Sequence, residues 1–228
     1  DIAKMLQISV STVSRAFRDT HDVNPETRKK VLALAKELNF KPNKNASALA
    51  SGSTKNIGVV IPFITNYYFS MVISGIQEEA YERDYNVILY VTNDHVAREQ
   101  NLLENLSTSS LDGLLISISS DSSTNDHFEQ LMAKGMPIVF FDRVPKDIDA
   151  SKVVQDDFAG ALQATEYLIR QGYTRIAHIA GPENLQFTQQ RLNGYLQALE
   201  QHNMVIDPRL IVYSGFSQAH GATDALKL

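Results

Sequence analysis

The sequence contains no cysteine, which excludes a disulfide scaffold, a thiolate zinc site and a cysteine nucleophile, and fits a reducing cytoplasm. No run of about 18 or more apolar residues occurs either, so no segment can span a bilayer as a helix. Neither sign of charge dominates: 21 lysines and arginines stand against 26 acidic residues, a net of -5. With 43% hydrophobic residues the chain can build at least one sizeable core and falls outside the disordered, collagenous and polyanion classes. A basic-then-apolar leader is missing, and because the chain opens at Asp1 rather than Met we expect its natural start to lie upstream. Enzyme signatures are missing as well. No Gly-x-Gly-x-x-Gly follows a strand-like run, no phosphate loop ending in Gly-Lys-Ser/Thr is found, and none of the six histidines forms an i, i+4 pair around a glutamate. We therefore expect no catalytic residues, no cofactor and no metal.

What is present is uneven. Residues 1–56 hold 10 basic and 5 acidic residues, whereas 57–228 hold 11 and 21, so a basic head of net +5 precedes an acidic body of net -10. Such a division suggests a polyanion-binding module joined to one that binds no polyanion; chance clustering on a solvated face is the alternative.

Residues 1–40 read as three short helices. Ile2, Ala3 and Leu6 are spaced helically, then Val10 to Arg18 places Val13, Ala16 and Phe17 on one face, with Ser9 as N-cap. A third helix begins at Asn24-Pro25, a cap followed by proline at the first helical position, and carries Val31, Leu34, Ala35 and Leu38 inward. Two helices joined by so tight a turn describe a helix-turn-helix over 1–42. Residues 43–56 are polar and small, with Leu49 as their single large apolar group, and form a linker that is at most weakly helical. From Ile57 the period changes to buried strands alternating with helices: strands near 57–61, 86–91, 112–118, 137–141 and 152–155, with helices near 68–83, 96–107 and 123–134 between them. Continuous apolar runs indicate strands buried on both faces, hence a parallel doubly wound sheet in a first lobe over 57–155. The rhythm resumes over 156–228, with helices near 157–171 and 186–202 and strands near 175–179 and 210–213. The strands after 155 are too few for an open sheet of usual size, so we expect the second lobe to be incomplete.

The stretch Ile8-Ser9-Val10-Ser11-Thr12-Val13-Ser14-Arg15-Ala16 resembles the recognition element of the lactose and galactose repressor family of bacterial transcription regulators. The resemblance continues in order through Val23-Asn24-Pro25-Glu26-Thr27-Arg28, Leu38 to Asn43, Ala46 to Leu49, Ile57 to Val60, Asp112-Gly113-Leu114, Phe141-Asp142-Arg143, Gly181-Pro182 and Arg191 to Tyr195. It covers the whole chain, and implies an α/β protein with a helix-turn-helix head, a hinge helix and a two-lobed regulatory domain like that of periplasmic binding proteins.

A recognition helix enters the major groove by its N-terminal part, which places Val10, Ser11 and, one turn on, Arg15 at base edges, with Arg15 suited to bidentate reading of guanine. Ser9, Thr12, Ser14, Asn24 and Thr27, near helix starts, suit phosphate contacts or plain capping, and Arg18 joins the DNA-binding set. The family uses the leucine matching Leu49 as a minor-groove wedge from paired hinge helices, with Asn43 and Ala46 at contact positions beside it. Packing of Leu49 against the head is the alternative. Lys41 and Lys44 suit phosphates. Paired hinges require a homodimer on a pseudo-palindromic operator of double-stranded DNA. The dimer surface is expected around Val72–Glu79 and Leu102–Leu106, stripes that core packing explains equally well.

In the body, a cleft between two α/β lobes is the default ligand site, at the carboxyl ends of the strands. Tyr68 and Phe69 follow the first strand, Ser119 ends the third, and Asp142 with Arg143 ends the fourth. An aromatic platform with carboxylate and guanidinium groups suits a polyhydroxylated ring. The resemblance adds Leu185, Phe187 and Arg191, the last as a ligand clamp; the apolar pair disfavours a purine and favours a pocket with a larger apolar wall, and the expected effector is a sugar or sugar phosphate. It also puts the crossing between lobes at Asp156-Asp157, with Asp156 facing the cleft and Asp157 capping the helix. Helix-start packing of the aromatics and a structural ion pair of Arg191 remain alternatives. The expected protein is a cytoplasmic, nucleoid-associated regulator, most simply a repressor. Three other readings stay open: a sugar-binding protein without a DNA role, a regulator answering to a protein co-regulator, and a nucleotide-dependent enzyme on the same fold.

Overall fold

The computed structural model describes residues 2–17, 22–40, 53–107, 110–121 and 124–228. Two compact units divide the chain, Asp1–Thr54 and Lys55–Leu228. The hinge candidates Asn43, Ala46 and Leu49, and Arg18 in the head, lie outside the described residues.

In the first unit, α1 (Ile2–Met5), α2 (Val10–Phe17) and α3 (Pro25–Glu37) enclose a small core of Ile2, Val13, Ala16, Val23, Val31 and Ala35. The sharp turn between α1 and α2 is made by Gln7 in the left-handed region (φ 53°), which lets Ile8 N–H return to Ala3 O at 3.0 Å. Ser9 caps α2 by accepting from Thr12 N–H at 3.0 Å, and Asn24 caps α3 by accepting from Glu26 N–H at 2.9 Å. One expectation fails. Leu38 is exposed, because α3 ends at Glu37 and Asn39 turns left-handed (φ 50°), so the chain reverses, and Phe40, itself exposed, lies 5.8 Å from the Phe17 ring.

The second unit opens with a five-stranded parallel sheet in the order β2-β1-β3-β4-β5, with β1 Asn56–Ile61, β2 Asn86–Val91, β3 Gly113–Ile116, β4 Ile138–Phe141 and β5 Ser151–Val153. Alternate residues serve opposite faces. Val60, Leu114, Ile116, Ile138 and Phe140 pack under α5 (Val96–Glu104) and α6 (Asp126–Ala133) through Leu103, Phe128 and Leu131. Val59, Ile61, Leu115 and Phe141 pack under α4 (Tyr67–Glu82) through Phe69, Val72, Ile73 and Ile76. Helices on both faces explain why the strands read as continuous apolar runs. The stripes around Val72–Glu79 and Leu102–Leu106 accordingly supply core contacts through Val72, Ile76, Leu102, Leu103 and Leu106. Strand order reverses between β1 and β3, the switch point beyond whose carboxyl ends a crevice forms.

The rest of this unit pairs α7 (Asp157–Arg170) closely with α8 (Gln186–Gln201), beside a two-stranded parallel sheet of β6 (His178–Ala180) and β7 (Ile211–Tyr213) and a final α9 (Gln218–Ala225). Both strands are shorter than expected. Residues 175–177 precede the pairing, and Leu210 falls in a 3-10 turn set by Pro208 and capped by Asp207. Among the described residues no helix is long and apolar enough to cross a membrane, and no three His, Cys, Asp or Glu side chains gather as metal ligands would.

Candidate functional site

Two surfaces carry chemistry, one in each unit. In the head, the inward stripe of α2 leaves Val10, Ser11, Ser14 and Arg15 on the opposite, exposed face. Val10 is 76% exposed, an apolar side chain that the helix offers outward at its first turn. Ser9 Oγ is shared among Thr12 N–H, Ser11 Oγ (2.7 Å) and Thr12 Oγ1 (2.8 Å), so the hydroxyls at this helix start form one cluster. Asn24 spends its Oδ1 on the cap of α3, and Thr27 is half-buried in the turn that follows. The Arg28 Nε–H reaches Ala16 O at 3.2 Å and ties α3 to the end of α2.

In the body, the strand ends bring two polar groups together. The first is built on Asp142, directly after β4 and held left-handed at φ 57°, with Ser117 Oγ donating to its carboxylate at 3.4 Å. Tyr68, from the first turn of α4, lies close enough to the same carboxylate to feel its charge, and its oxygen accepts from Gln155 Nε2 at 3.0 Å. Arg191, from α8, donates through Nε to Asp157 at 2.7 Å and lies 4.6 Å over the Phe187 ring. Burial raises the pKa of Asp142 more than its neighbours Arg143 and Arg191 lower it. Burial also raises the Tyr68 phenol, with the Asp142 charge acting in the same direction. Burial lowers His178, which lies with Gln155, Asp157 and Arg191 in the wall of a cavity of about 500 Å³.

The second group is built on Arg143, whose side chain is only 4% exposed and pairs with Asp94 at 2.6 Å. Its guanidinium lies 4.4 Å over the Phe216 ring of the second lobe and 5.8 Å from Phe63 of the first. Asp94, Ser120, Phe63, Phe216 and His220 line a cavity of about 690 Å³ that both lobes enclose. The two groups meet through the Asp142-Arg143 step and through Phe187, 6.1 Å from Phe216.

Two residues expected at the cleft surface lie behind it. Phe69 is 2% exposed and packs with Val59, Ile61 and Phe141, its ring edge-on to Tyr68 at 5.3 Å, so it supports the aromatic platform from the core. Ser119 is fully buried, with its hydroxyl on Thr92 Oγ1 (3.1 Å) and its N–H on Glu99 (2.7 Å). Leu185 and Phe187 are buried where α8 begins, Leu185 beside Ser119 in a smaller cavity of about 150 Å³. Both members of the acidic pair line the cavity of about 500 Å³, but Asp156 and not Asp157 caps α7, by accepting from Ala159 N–H at 2.9 Å, while Asp157, one step into the helix, turns to Arg191. Successive residues of a helix point about 100° apart, so the cap and the residue after it face different neighbours. The sequence reading also passed over Asp94, Gln155 and Phe216. Asp94 and Phe216 follow the carboxyl ends of β2 and β7, so the rule that strand ends hold the site would have found both.

One consequence concerns Asp142. A carboxylate whose folded pKa is raised contributes stability below its unfolded value, and that contribution is lost as pH rises through the folded one. Asp142→Asn removes the loss, and asparagine tolerates the left-handed backbone. We expect the variant to unfold at higher temperature near neutrality, by about 0.5–2 kcal/mol, with the gap from wild type closing as pH falls toward 4. Thermal unfolding between pH 4 and 8 checks this, and a gap independent of pH would remove the carboxylate from the explanation.

Residues 1–43 match the family described as "Bacterial regulatory proteins, lacI family", and residues 54–227 match "Periplasmic binding proteins and sugar binding domain of LacI family". The chain belongs to the LacI family. Among LacI-family relatives, the ribose operon repressor of Haemophilus influenzae is 32% identical over 216 residues, covering 95% of this chain and 64% of the relative. The probable HTH-type transcriptional repressor ExuR of Bacillus subtilis is 33% identical over 225 residues, covering 97% and 66%. This chain thus spans about two thirds of the length of these relatives. Of solved structures, a complex of the transcriptional regulator CelR with cellobiose is 26% identical with a TM-score of 0.69, covering 99% of this chain and 68% of that one. The lac repressor dimer bound to operator and the anti-inducer ONPF, 24% identical, has the same fold at a TM-score of 0.82, covering 100% and 68%.

Proposed function

We propose that this LacI-family chain is a sequence-specific DNA-binding repressor, and not an enzyme, whose affinity for operator is set by a small ligand between the lobes of its second unit. The observation that carries the DNA reading is the outward face of α2, where Val10 and Ser11 at the capped start and Ser14 and Arg15 one turn on are all exposed, outside the head's apolar core. The repressors named above, which match nearly the whole of this chain, support the same reading.

The ligand is a sugar or sugar phosphate. Tyr68, Asp142, Gln155 and Arg191 offer both donors and acceptors to ring hydroxyls, while exposed Phe216 in the wall of the cavity between the lobes offers apolar surface against which a ring packs. That the CelR structure is a complex with cellobiose supports this class. The ligand acts by linkage: it changes the relation of the lobes, and through a homodimer the spacing of two heads on a pseudo-palindromic operator. Only a ligand that favours one state over the other can regulate. Asn43, Ala46 and Leu49 contact the minor groove in this scheme, with Leu49 as the wedge that kinks the duplex, and the protein works in the bacterial cytoplasm.

Arg15→Ala is expected to cost about 1–3 kcal/mol of discrimination at one base pair per half-site and to leave binding to the remaining positions intact. Selection from a randomised duplex library supplies the operator, and titration of single-base variants reads the effect. Unchanged discrimination in the mutant removes Arg15 from base recognition. The ligand is sought by thermal unfolding of the full-length protein with sugars, sugar phosphates and nucleobases, each at about 100 times its dissociation constant, where stabilisation is about 2.7 kcal/mol. A shift confined to nucleobases would overturn the sugar assignment.

A further inference from the structure

Asn93 and Asp94 follow the carboxyl end of β2 with both backbones in the left-handed region, φ 53° and 61°. Two such residues in succession cost energy that a loop keeps only when its surroundings over-determine it. What they do is present the Asp94 carboxylate to three donors at once: Ser120 N–H at 2.8 Å, Ser120 Oγ at 2.7 Å and Arg143 Nη1 at 2.6 Å. Both donor residues face the second lobe. Arg143 lies over the Phe216 ring at 4.4 Å, and the Ser120 carbonyl accepts a hydrogen bond from the Asn184 side-chain amide. Two contacts between the lobes therefore hang on one carboxylate of the first.

We propose that Asp94 is a positioning residue that sets how the two lobes meet, by aiming the Arg143 guanidinium at the face of Phe216 and the Ser120 carbonyl at Asn184. The arrangement is directional. A guanidinium is held flat against a ring only if its donors are engaged in the plane, and the buried Asp94 oxygen engages one of them. Without that acceptor Arg143 is a buried cation without its counter-charge and turns toward water, and the Phe216 face loses its partner. Asp94 also lines the cavity that the lobes enclose, so the group that sets their meeting is in reach of whatever fills the space between them. The proposal holds whatever the ligand is and does not rest on the DNA reading.

The test uses the absence of cysteine from residues 1–228, with any cysteine outside them changed to serine. Cysteines placed at exposed Glu129 on α6 and Glu200 on α8 carry one spin label on each lobe, and pulsed electron paramagnetic resonance reads the distance between them in the full-length protein. Dilution with unlabelled chain restricts the reading to one molecule. We expect Asp94→Asn, which keeps an amide oxygen to accept from Arg143 but removes the negative charge that holds the guanidinium, to widen the interlobe distance distribution at least twofold. Phe216→Ala should widen it comparably, and the double variant should be no wider than Asp94→Asn alone, because the two residues act through the same guanidinium. An Asp94→Asn distribution as narrow as wild type overturns the proposal, as does a double variant whose widening is the sum of the singles, the result that local loop support alone would give. If Asp94→Asn does not fold, judged by far-ultraviolet circular dichroism, Phe216→Ala and Asn184→Ala decide from the second lobe. The proposal requires both to widen the distribution, and it fails if either leaves it as narrow as wild type.

Discussion

Replacing Glu99 with alanine is expected to lower the stability of the second unit by about 3–5 kcal/mol, and its unfolding midpoint by on the order of 10 °C. Glu99 is a fully buried carboxylate on the inner face of α5, and each of its oxygens has one partner. One meets His127 Nε2 at 3.0 Å and the other accepts from Ser119 N–H at 2.7 Å. Alanine leaves a buried N–H and a buried imidazole nitrogen without acceptors, along with a void that the close-packed Leu103 and Phe128 cannot fill without moving. Glu99→Gln should cost much less, since its oxygen still accepts from Ser119 and its amide donates to a His127 ring nitrogen in the other tautomer. Urea unfolding of the three proteins measures the differences. An alanine variant within about 1 kcal/mol of wild type would show that water reaches these groups. The network has a functional side too, because Ser119 ends the loop that carries Ser120 to the second lobe.

Gly194→Ala should destabilise at or above the top of the 1–3 kcal/mol usual for overpacking, although the same change in an exposed helix stabilises by about 1 kcal/mol. Gly194 lies where α8 crosses α7. A Cβ built there would stand 2.9 Å from Leu162 N and 3.0 Å from Ala161 Cβ, and closer still to the Phe158 carbonyl oxygen. Backbone atoms cannot rotate away as a side chain does, so the helices must separate, and Tyr195 and Leu199 then lose packing in the core of the second lobe. Gly160→Ala is the internal control. It sits on α7 of the same pair, its Cβ would meet nothing within 4 Å, and it should gain about 0.5–1 kcal/mol. Opposite signs for the two substitutions in thermal unfolding would confirm that the helix crossing, not helix propensity, holds Gly194 as glycine; equal signs would contradict it. The substitution should also disturb the cleft, since Arg191 is one turn away on the same helix.

The alternation of apolar and polar residues was enough to determine the elements. Periodicity in Val13 and Ala16 and in Val31 and Ala35 fixed the inward faces of the head, because a short helix has one stripe to bury. By elimination it also fixed the outward face, Val10, Ser11, Ser14 and Arg15. Continuous apolar runs fixed a parallel sheet covered on both sides, and the rule for strand ends brought Tyr68, Asp142 and Arg143 to one region. These conclusions follow from covalent spacing along the chain, which the sequence states directly. Which of two adjacent side chains faces the cleft was decided by tertiary structure. Tyr68 and Phe69 differ by one helical step, as do Asp156 and Asp157, and only the docking of α4 and α7 chose Tyr68 over Phe69 for the cleft and Asp157 over Asp156 as the partner of Arg191. The Asp94, Arg143 and Phe216 group joins residues 49 and 73 positions apart, and the Glu99, Ser119 and His127 network joins three segments across the fold. Such groups depend on which strand end lies beside which, and that is settled by the packing of whole elements, where many weak contacts act together and no local pattern records the outcome.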